Sequence, residues 1–139
     1  PDGVVFLADC VYGASTLEKY GVPFIYDVGA FLQTLDRVET MQAVLFVPSH
    51  AQATADIVPL VRLNREKVLE ICETLLSICE TPLNFEAILQ RLFDEYGLKM
   101  SIDQYALAGG TVKSYLAYLK EKGEIAVSFR NNLLLWGRA

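Results

Sequence analysis

The sequence predicts an α/β unit over residues 1–80, followed by a small winged-helix α+β unit over residues 81–139. Two short apolar runs, at 4–8 and 43–48, are typical of strands covered on both faces by helices, and an amphipathic helical pattern lies between them. Beyond Glu80-Thr81-Pro82, three short helical patterns precede two alternating runs joined by turn residues. A length of 139 residues accommodates one ordinary domain or two small ones.

Two helices are predicted in the first unit. One follows Asp27, and its apolar positions recur at helical spacing: Val28, Phe31, Leu32, Leu35, Val38 and Met41. The other runs from Asp56 to about Cys79 and is also amphipathic. Pro59 is compatible with this helix because it falls in the first turn, where its missing N–H has no helical partner.

Capping and turn residues divide the second unit. Asn84 predicts the start of a helix that ends at Gly97, and Ser101 has the capping-box pattern that starts a second, short helix. Gly109-Gly110 is expected to form a turn before a third helix. Arg130-Asn131-Asn132 then supplies the turn residues of a β-hairpin. Three short helices and a hairpin make a winged-helix pattern.

Composition limits the classes of function. The chain is 53% hydrophobic and 21% charged, with a mean hydropathy of +0.29, so we expect a partner to cover some of its surface. No apolar run approaches the roughly 20 residues that span a bilayer. Three cysteines without a C-x-x-C pair favour a reducing, cytoplasmic location. The net charge is −5, and neither half has the strongly basic character that sequence-independent phosphate binding requires.

A single polar residue follows each predicted strand. Asp9 ends the stretch V-V-F-L-A-D, and His50, the only histidine, ends V-L-F-V-P-S-H. Because the carboxyl ends of parallel strands share one edge of a sheet, we expect the two side chains to lie in the same crevice. A carboxylate and an imidazole are suitable ligands for zinc, iron or manganese. Strand-end residues of these types can also serve only to bond the backbone.

These stretches resemble the second half of a metallo-β-lactamase-fold hydrolase. The resemblance depends on F-L-A-D at 6–9, P-F-I-Y-D at 23–27 and V-P-S-H at 47–50, and a subset of the family carries a C-terminal winged helix. It implies that residues 1–80 are the last part of an αββα sandwich. It also implies that Asp9 bridges two divalent metal ions and that His50 is the final ligand to one of them.

The family's H-x-H-x-D-H run, which supplies most of the metal ligands, is absent from this sequence. Two ligands are fewer than the three that a catalytic zinc site generally needs. The chain also begins at Pro1 without a methionine. We therefore expect a fragment that is inactive without its N-terminal half, which would be its main partner. Exposed apolar surface on such a fragment predicts a homo-oligomer.

The resemblance implies metal-assisted hydrolysis in the intact protein, with zinc the first choice of metal and iron or manganese as alternatives. Metal lowers the pKa of a bound water from about 15.7 toward 7, so that hydroxide can attack an ester, thioester, amide or phosphodiester. Tyr12 and Tyr26 are candidates for the substrate pocket. Cys10 is not expected to act as a nucleophile, because strand alternation turns it away from Asp9.

A second interpretation assigns the function to residues 81–139. Lys113, Lys120, Lys122 and Arg130 could meet phosphates, although Glu121 and Glu124 lie among them. The chain would then be a winged-helix module that binds nucleic acid or protein, with residues 1–80 as a scaffold. Within the first interpretation, this module shapes access to the site, and the substrate is a small molecule or a single-stranded nucleic acid.

Overall fold

The structure, a computed structural model, describes residues 3–139, so Pro1 and Asp2, with which the first predicted unit begins, lie outside the described residues. The elements are β1 (Val4–Tyr12), α1 (Ala14–Tyr20), α2 (Val28–Glu39), β2 (Leu45–His50), α3 (Val58–Ile78), α4 (Phe85–Glu95), α5 (Ile102–Glu121), β3 (Ile125–Arg130) and β4 (Leu133–Arg138). They confirm a mixed α/β chain.

The chain forms two compact units. Unit 1 comprises the described residues up to Pro23 together with Gly29–Leu69, and unit 2 comprises Phe24–Val28 and Glu70–Ala139. The chain passes from unit 1 to unit 2 between Leu69 and Glu70, which lies inside α3 and before the boundary at 80/81 that the sequence suggests. Backbone contacts explain this, since the carbonyl of Cys79 accepts a hydrogen bond from the N–H of Arg138 in unit 2. The domain boundary at 80/81 stays a prediction.

In unit 1, β1 and β2 form a parallel pair in which Val5 lies opposite Phe46 and Tyr12 opposite His50. One face of this pair packs against helices. The buried cluster on that face consists of Leu7, Val11, Leu35, Val38, Phe46, Ile57 and Val61. The predicted strand, helix and strand are present as β1, α2 and β2, and both strands extend past the C-terminal ends of the apolar runs. The short helix α1 between β1 and α2 was not predicted.

The opposite face of the β1–β2 pair is open among the described residues, so the expected cover of helices on both faces is present on one face only. Phe6 is 78% exposed, and the neighbouring Val4 and Val44 are also exposed. Side chains on a strand alternate between its two faces, so one face of β1 is in the core while Val4 and Phe6 project from the other. We call Val4, Phe6 and Val44 the open sheet face. Large exposed apolar side chains in a row are typical of a surface that another element covers.

The caps predicted in unit 2 are present. The side chain of Asn84 accepts a hydrogen bond from the N–H of Ala87 at the start of α4, and Gly97 follows that helix with φ +61°. Ser101 accepts from the N–H of Gln104 at the start of α5. These caps satisfy backbone donors that the first turn of a helix leaves without partners.

The predicted turn at Gly109-Gly110 is wrong, because α5 is one continuous helix from Ile102 to Glu121. Gly109 is buried, and a Cβ added there would lie 3.8 Å from the ring of Phe85 and 3.9 Å from Leu89. Each glycine costs a helix about 1 kcal/mol relative to alanine, but packing of an apolar face outweighs such local preferences. With two helices instead of three before the hairpin, the winged-helix assignment of residues 81–139 stays a proposal.

The predicted β-hairpin is present, although Arg130, one of its three predicted turn residues, belongs to β3. β3 and β4 pair antiparallel, with Arg130 opposite Leu133, and the two-residue loop Asn131-Asn132 has φ values of +52° and +63°. Asparagine tolerates this left-handed conformation better than most residues, which suits the loop to a tight hairpin. No helix among residues 3–139 is long and apolar enough to cross a membrane.

Candidate metal centre

The strand that carries Asp9 is irregular immediately around it. The parallel register pairs Ala8 with Pro48 and then Tyr12 with His50, so three residues of β1 face the single Ser49 of β2. Ala8 has φ +46°, a left-handed conformation that costs a residue other than glycine about 1–2 kcal/mol. Such bulges redirect side chains, and here Ala8 and Asp9 are both exposed in succession instead of alternating.

The bulge brings Asp9 to His50. His50 Nε2 lies 3.1 Å from Asp9 Oδ1, and the side chains are 46% and 73% exposed, respectively. The structure therefore joins the two residues that the sequence places at the ends of separate strands. An ion pair this exposed contributes at most about 1 kcal/mol to stability. The strain at Ala8 is of similar size, so stability does not explain the arrangement.

Tyr12 packs directly on the imidazole. Its ring stacks on the His50 ring with centroids 5.6 Å apart and also contacts Phe31 at 6.5 Å. Burial, and secondly the negative charge of Asp9, raise the pKa of the Tyr12 phenol above its ordinary value. Tyr12 therefore stays neutral near pH 7 and restricts the His50 ring on one side. Its predicted role in a substrate pocket stays a prediction.

Asn64, which sequence reasoning missed, fixes the backbone of Tyr12. It is buried in α3, and its Oδ1 accepts a hydrogen bond of 2.8 Å from the N–H of Tyr12. Its Nδ2 donates to the carbonyls of Tyr12 and Leu60, each at 2.8 Å. A signal was present in the sequence, because Asn64 occupies an inward position, between Val61 and Val68, where the helical period calls for an apolar residue.

Gly13 holds the backbone of His50, and sequence reasoning did not identify this residue either. Its N–H donates a 2.8 Å hydrogen bond to the carbonyl of His50. A Cβ at this position would lie 3.0 Å from that oxygen and 3.3 Å from Cβ of Ala51, which is closer than most real contacts. Glycine thus permits the close approach of the loop after β1 to the end of β2. The hydroxyl of Thr16 also donates to the His50 carbonyl, at 3.4 Å.

An open cleft of about 680 Å³ begins beside His50. It is lined by the residues after β1 and β2 and by the start of α3, namely Gly13, Ala14, Ser15, Ala51, Gln52, Thr54, Asp56, Pro59, Leu60 and Leu63. Its walls are mainly apolar, with a few polar groups. This composition is typical of a ligand cleft, in which a few polar groups orient a mostly apolar contact surface.

The sequence also singled out Cys10 and Tyr26. Cys10 is half-buried and packs against the core cluster of unit 1. Tyr26 is 88% exposed and belongs to unit 2. Its place in a pocket with Asp9 and His50 therefore stays a prediction.

The donor set of this chain fits part of a metal site. Asp9 Oδ1 and His50 Nε2 are chemically suitable ligands, accessible to solvent, and near enough for both to contact one cation. Among residues 3–139, however, no group of three or more His, Cys, Asp or Glu residues could hold a metal ion. The described part of the chain thus offers two ligands, and any others would come from elsewhere.

Comparison with solved structures shows the fold. The chain resembles a β-lactamase domain protein from Burkholderia ambifaria, with a TM-score of 0.76 and 22% identity, and a metallo-β-lactamase family protein from Thermus thermophilus, with a TM-score of 0.73 and 18% identity. In each case 99% of this chain is covered but only 42% of the other. No protein-family model matches the sequence, and no curated protein matches it.

Proposed function

We propose that this chain is the C-terminal part of a metal-dependent hydrolase of the metallo-β-lactamase fold, with Asp9 and His50 as two of its metal ligands. The observation that carries the proposal is the meeting of these two side chains at 3.1 Å, on a bulged strand and open to solvent. The likeness in fold to two proteins of that description supports it.

In this proposal the bound metal, zinc first and iron or manganese as alternatives, supplies a water of lowered pKa for hydrolysis. The residues of the chain orient the ligands. Asn64 holds the backbone of Tyr12, whose ring lies against His50, while Gly13 and Thr16 bind the carbonyl of His50. Fixing ligands through such neighbours commonly changes metal affinity by about 10–100-fold.

The remaining ligands would come from an N-terminal half that contains the H-x-H-x-D-H run. The open sheet face (Val4, Phe6 and Val44) is where we place that half, because it is apolar and exposed in the described residues. The solved structures that resemble this chain are more than twice as long as the part it covers, which leaves room for such a half. Without it, we expect little hydrolysis.

Zinc titration of the ¹⁵N-histidine-labelled chain, followed by NMR, tests the two ligands without an activity assay. His50 is the only histidine, so its ring nitrogens give one unambiguous set of signals. We expect zinc to shift Nε2, with an affinity lowered at least tenfold in Asp9→Asn and unchanged in the control Asp94→Asn, which alters an exposed carboxylate in unit 2. An equal affinity in Asp9→Asn, or no shift at all, would contradict the proposal.

The alternative, nucleic-acid binding by residues 81–139, has less support from the side chains. Lys113 lies 4.8 Å from the centre of the Phe85 ring and Lys122 lies 5.7 Å from that of Tyr118, so two of the predicted phosphate contacts are already engaged with aromatic rings. A gel shift with duplex DNA that weakens as salt increases would favour this alternative over the hydrolase.

A further inference from the structure

The outer edge of β3 has no strand beside it among residues 3–139. On its inner side, β3 pairs with β4 from Ile125 opposite Arg138 to Arg130 opposite Leu133. The outer edge of β4 is occupied, because Trp136 exchanges backbone hydrogen bonds with Leu83 at 2.8 and 3.0 Å. The hairpin therefore has one protected edge and one unprotected edge.

The unprotected edge presents an ordered row of backbone groups. In a two-residue hairpin the closing pair, here Arg130 and Leu133, is hydrogen-bonded. Pairs along an antiparallel ladder alternate, so every second residue of β3 points its backbone N–H and C=O groups away from β4. The outward groups of β3 are then those of Ile125, Val127 and Phe129. The hydrogen bonds between Trp136 and Leu83 agree with this assignment. Trp136 lies opposite Val127, and its backbone groups likewise point away from the hairpin partner.

Edge strands in soluble proteins are usually protected by proline, lysine, a bulge or an inward charge. β3, with the sequence I-A-V-S-F-R, has none of these between Ile125 and Phe129, and its register with β4 has no interruption. Two of its apolar side chains are exposed, Phe129 at 76% and Val127 at 36%, beside Leu134 at 37% on β4, whereas Ile125 is buried.

We propose that this edge is the contact surface for a second copy of the chain, with the two β3 strands paired antiparallel about Val127. In that register Ile125 lies opposite Phe129 of the other copy. Glu124 lies opposite Arg130, once at each end of the pair. Both of these charged side chains are exposed, and neither forms a salt bridge with another described residue. The strand is thus complementary to itself in backbone groups, apolar side chains and charge.

The pairing joins two hairpins into one four-stranded sheet. Val127 then lies opposite Val127 of the other copy and diagonal to its Phe129, and such apolar and opposite-charge pairs stabilise antiparallel sheets. The inference is independent of the proposed hydrolase, since it uses only residues of unit 2.

Sedimentation velocity of the 139-residue chain with charge-reversal variants tests this register. We expect the unmodified chain to dimerise. Glu124→Arg and Arg130→Glu should each raise the dissociation constant by roughly tenfold, because both charged pairs of the symmetric dimer become repulsive. An equimolar mixture of the two variants should dimerise as well as the unmodified chain, since each repulsive pair becomes attractive again in the heterodimer.

Phe6→Asp is the matched control, because it alters the open sheet face and leaves β3 unchanged. It should not affect this dimer, and circular dichroism should show that all three variants are folded. A chain that stays monomeric at its highest soluble concentration would overturn the proposal. So would a dimer that Phe6→Asp abolishes, or one whose dissociation constant is the same in both charge variants as in the unmodified chain.

Discussion

Two groups of polar residues, one in each compact unit, have different roles. In unit 2 they complete the fold: Asn84 and Ser101 cap helices, and the hydroxyl of Thr111 accepts a hydrogen bond from the N–H of Ile25. In unit 1 a strained bulge holds an exposed carboxylate against an exposed imidazole. Where polar groups cost stability without satisfying the backbone, function is the better explanation, and this difference directs attention to Asp9 and His50.

The largest expected effect is on the free energy of unfolding, and it distinguishes the buried core of unit 2 from the open sheet face of unit 1. Leu116 is fully buried, so Leu116→Ala should lower the free energy of unfolding by about 2–5 kcal/mol through lost contacts and the cavity left behind. Phe6→Ala, at a side chain 78% exposed, should change it by less than about 0.5 kcal/mol. Urea denaturation measures both. Equal losses would mean that the open sheet face is already covered in the isolated chain.

The buried thiols make unit 2 sensitive to alkali. Burial raises the pKa of Cys72 to about 12 and that of Cys79 to about 11, from 9.0. The folded state holds the thiol protons more tightly than the unfolded state, because the pKa values are higher in the folded state. The stability that the neutral thiols contribute is therefore complete below pH 9 and is lost as the pH rises from 9 toward 11–12. The loss is at most about 1.4 kcal/mol per pH unit for each thiol. Urea denaturation at about pH 8 and about pH 10 should show the loss. In Cys72→Ala/Cys79→Ala the difference between the two pH values should be smaller, and an unchanged difference would exclude the thiols as its source.

A smaller effect should follow from removing the polar support of the site in unit 1. Asn64→Ala deletes three hydrogen bonds, two of them to the backbone of Tyr12, and should cost about 1–3 kcal/mol in urea denaturation. It should also shift the His50 ring signals in NMR spectra, because Tyr12 stacks on that ring. The exposed control Gln90→Ala in unit 2 should leave both unchanged. Unaltered His50 signals in Asn64→Ala would show that Asn64 does not position the site.

The smallest effect tests the strained bulge. Ala8 is exposed with φ +46°, so Ala8→Gly should raise the free energy of unfolding by about 0.5–1 kcal/mol. Ala126→Gly, at an exposed strand position of unit 2 with ordinary backbone geometry, should lower it by a similar amount. Differential scanning calorimetry distinguishes the two signs. Destabilisation by both substitutions would mean that Ala8 is not strained.

Short-range patterns in the sequence determined much of this protein. The caps at Asn84 and Ser101, the end of α4 at Gly97 and the Asn131-Asn132 loop are set by neighbouring residues, and each lies where its residue type predicts. The apolar runs and the helical spacing of apolar residues likewise predicted β1, α2 and β2 of unit 1, although not the short helix α1. That Asp9 and His50 would come together followed from a general property of parallel sheets, namely that their strands end at one edge.

Tertiary structure alone decided the remaining features, because each depends on residues far apart in the sequence. Packing of Gly109 beside Phe85 and Leu89 keeps α5 continuous where two glycines predicted a turn. The bulge at Ala8 exists only through the register of β1 with β2, and the hydrogen bonds of Asn64 to Tyr12 join positions 52 residues apart. Local preferences are worth about 1 kcal/mol or less, so contacts of this kind override them.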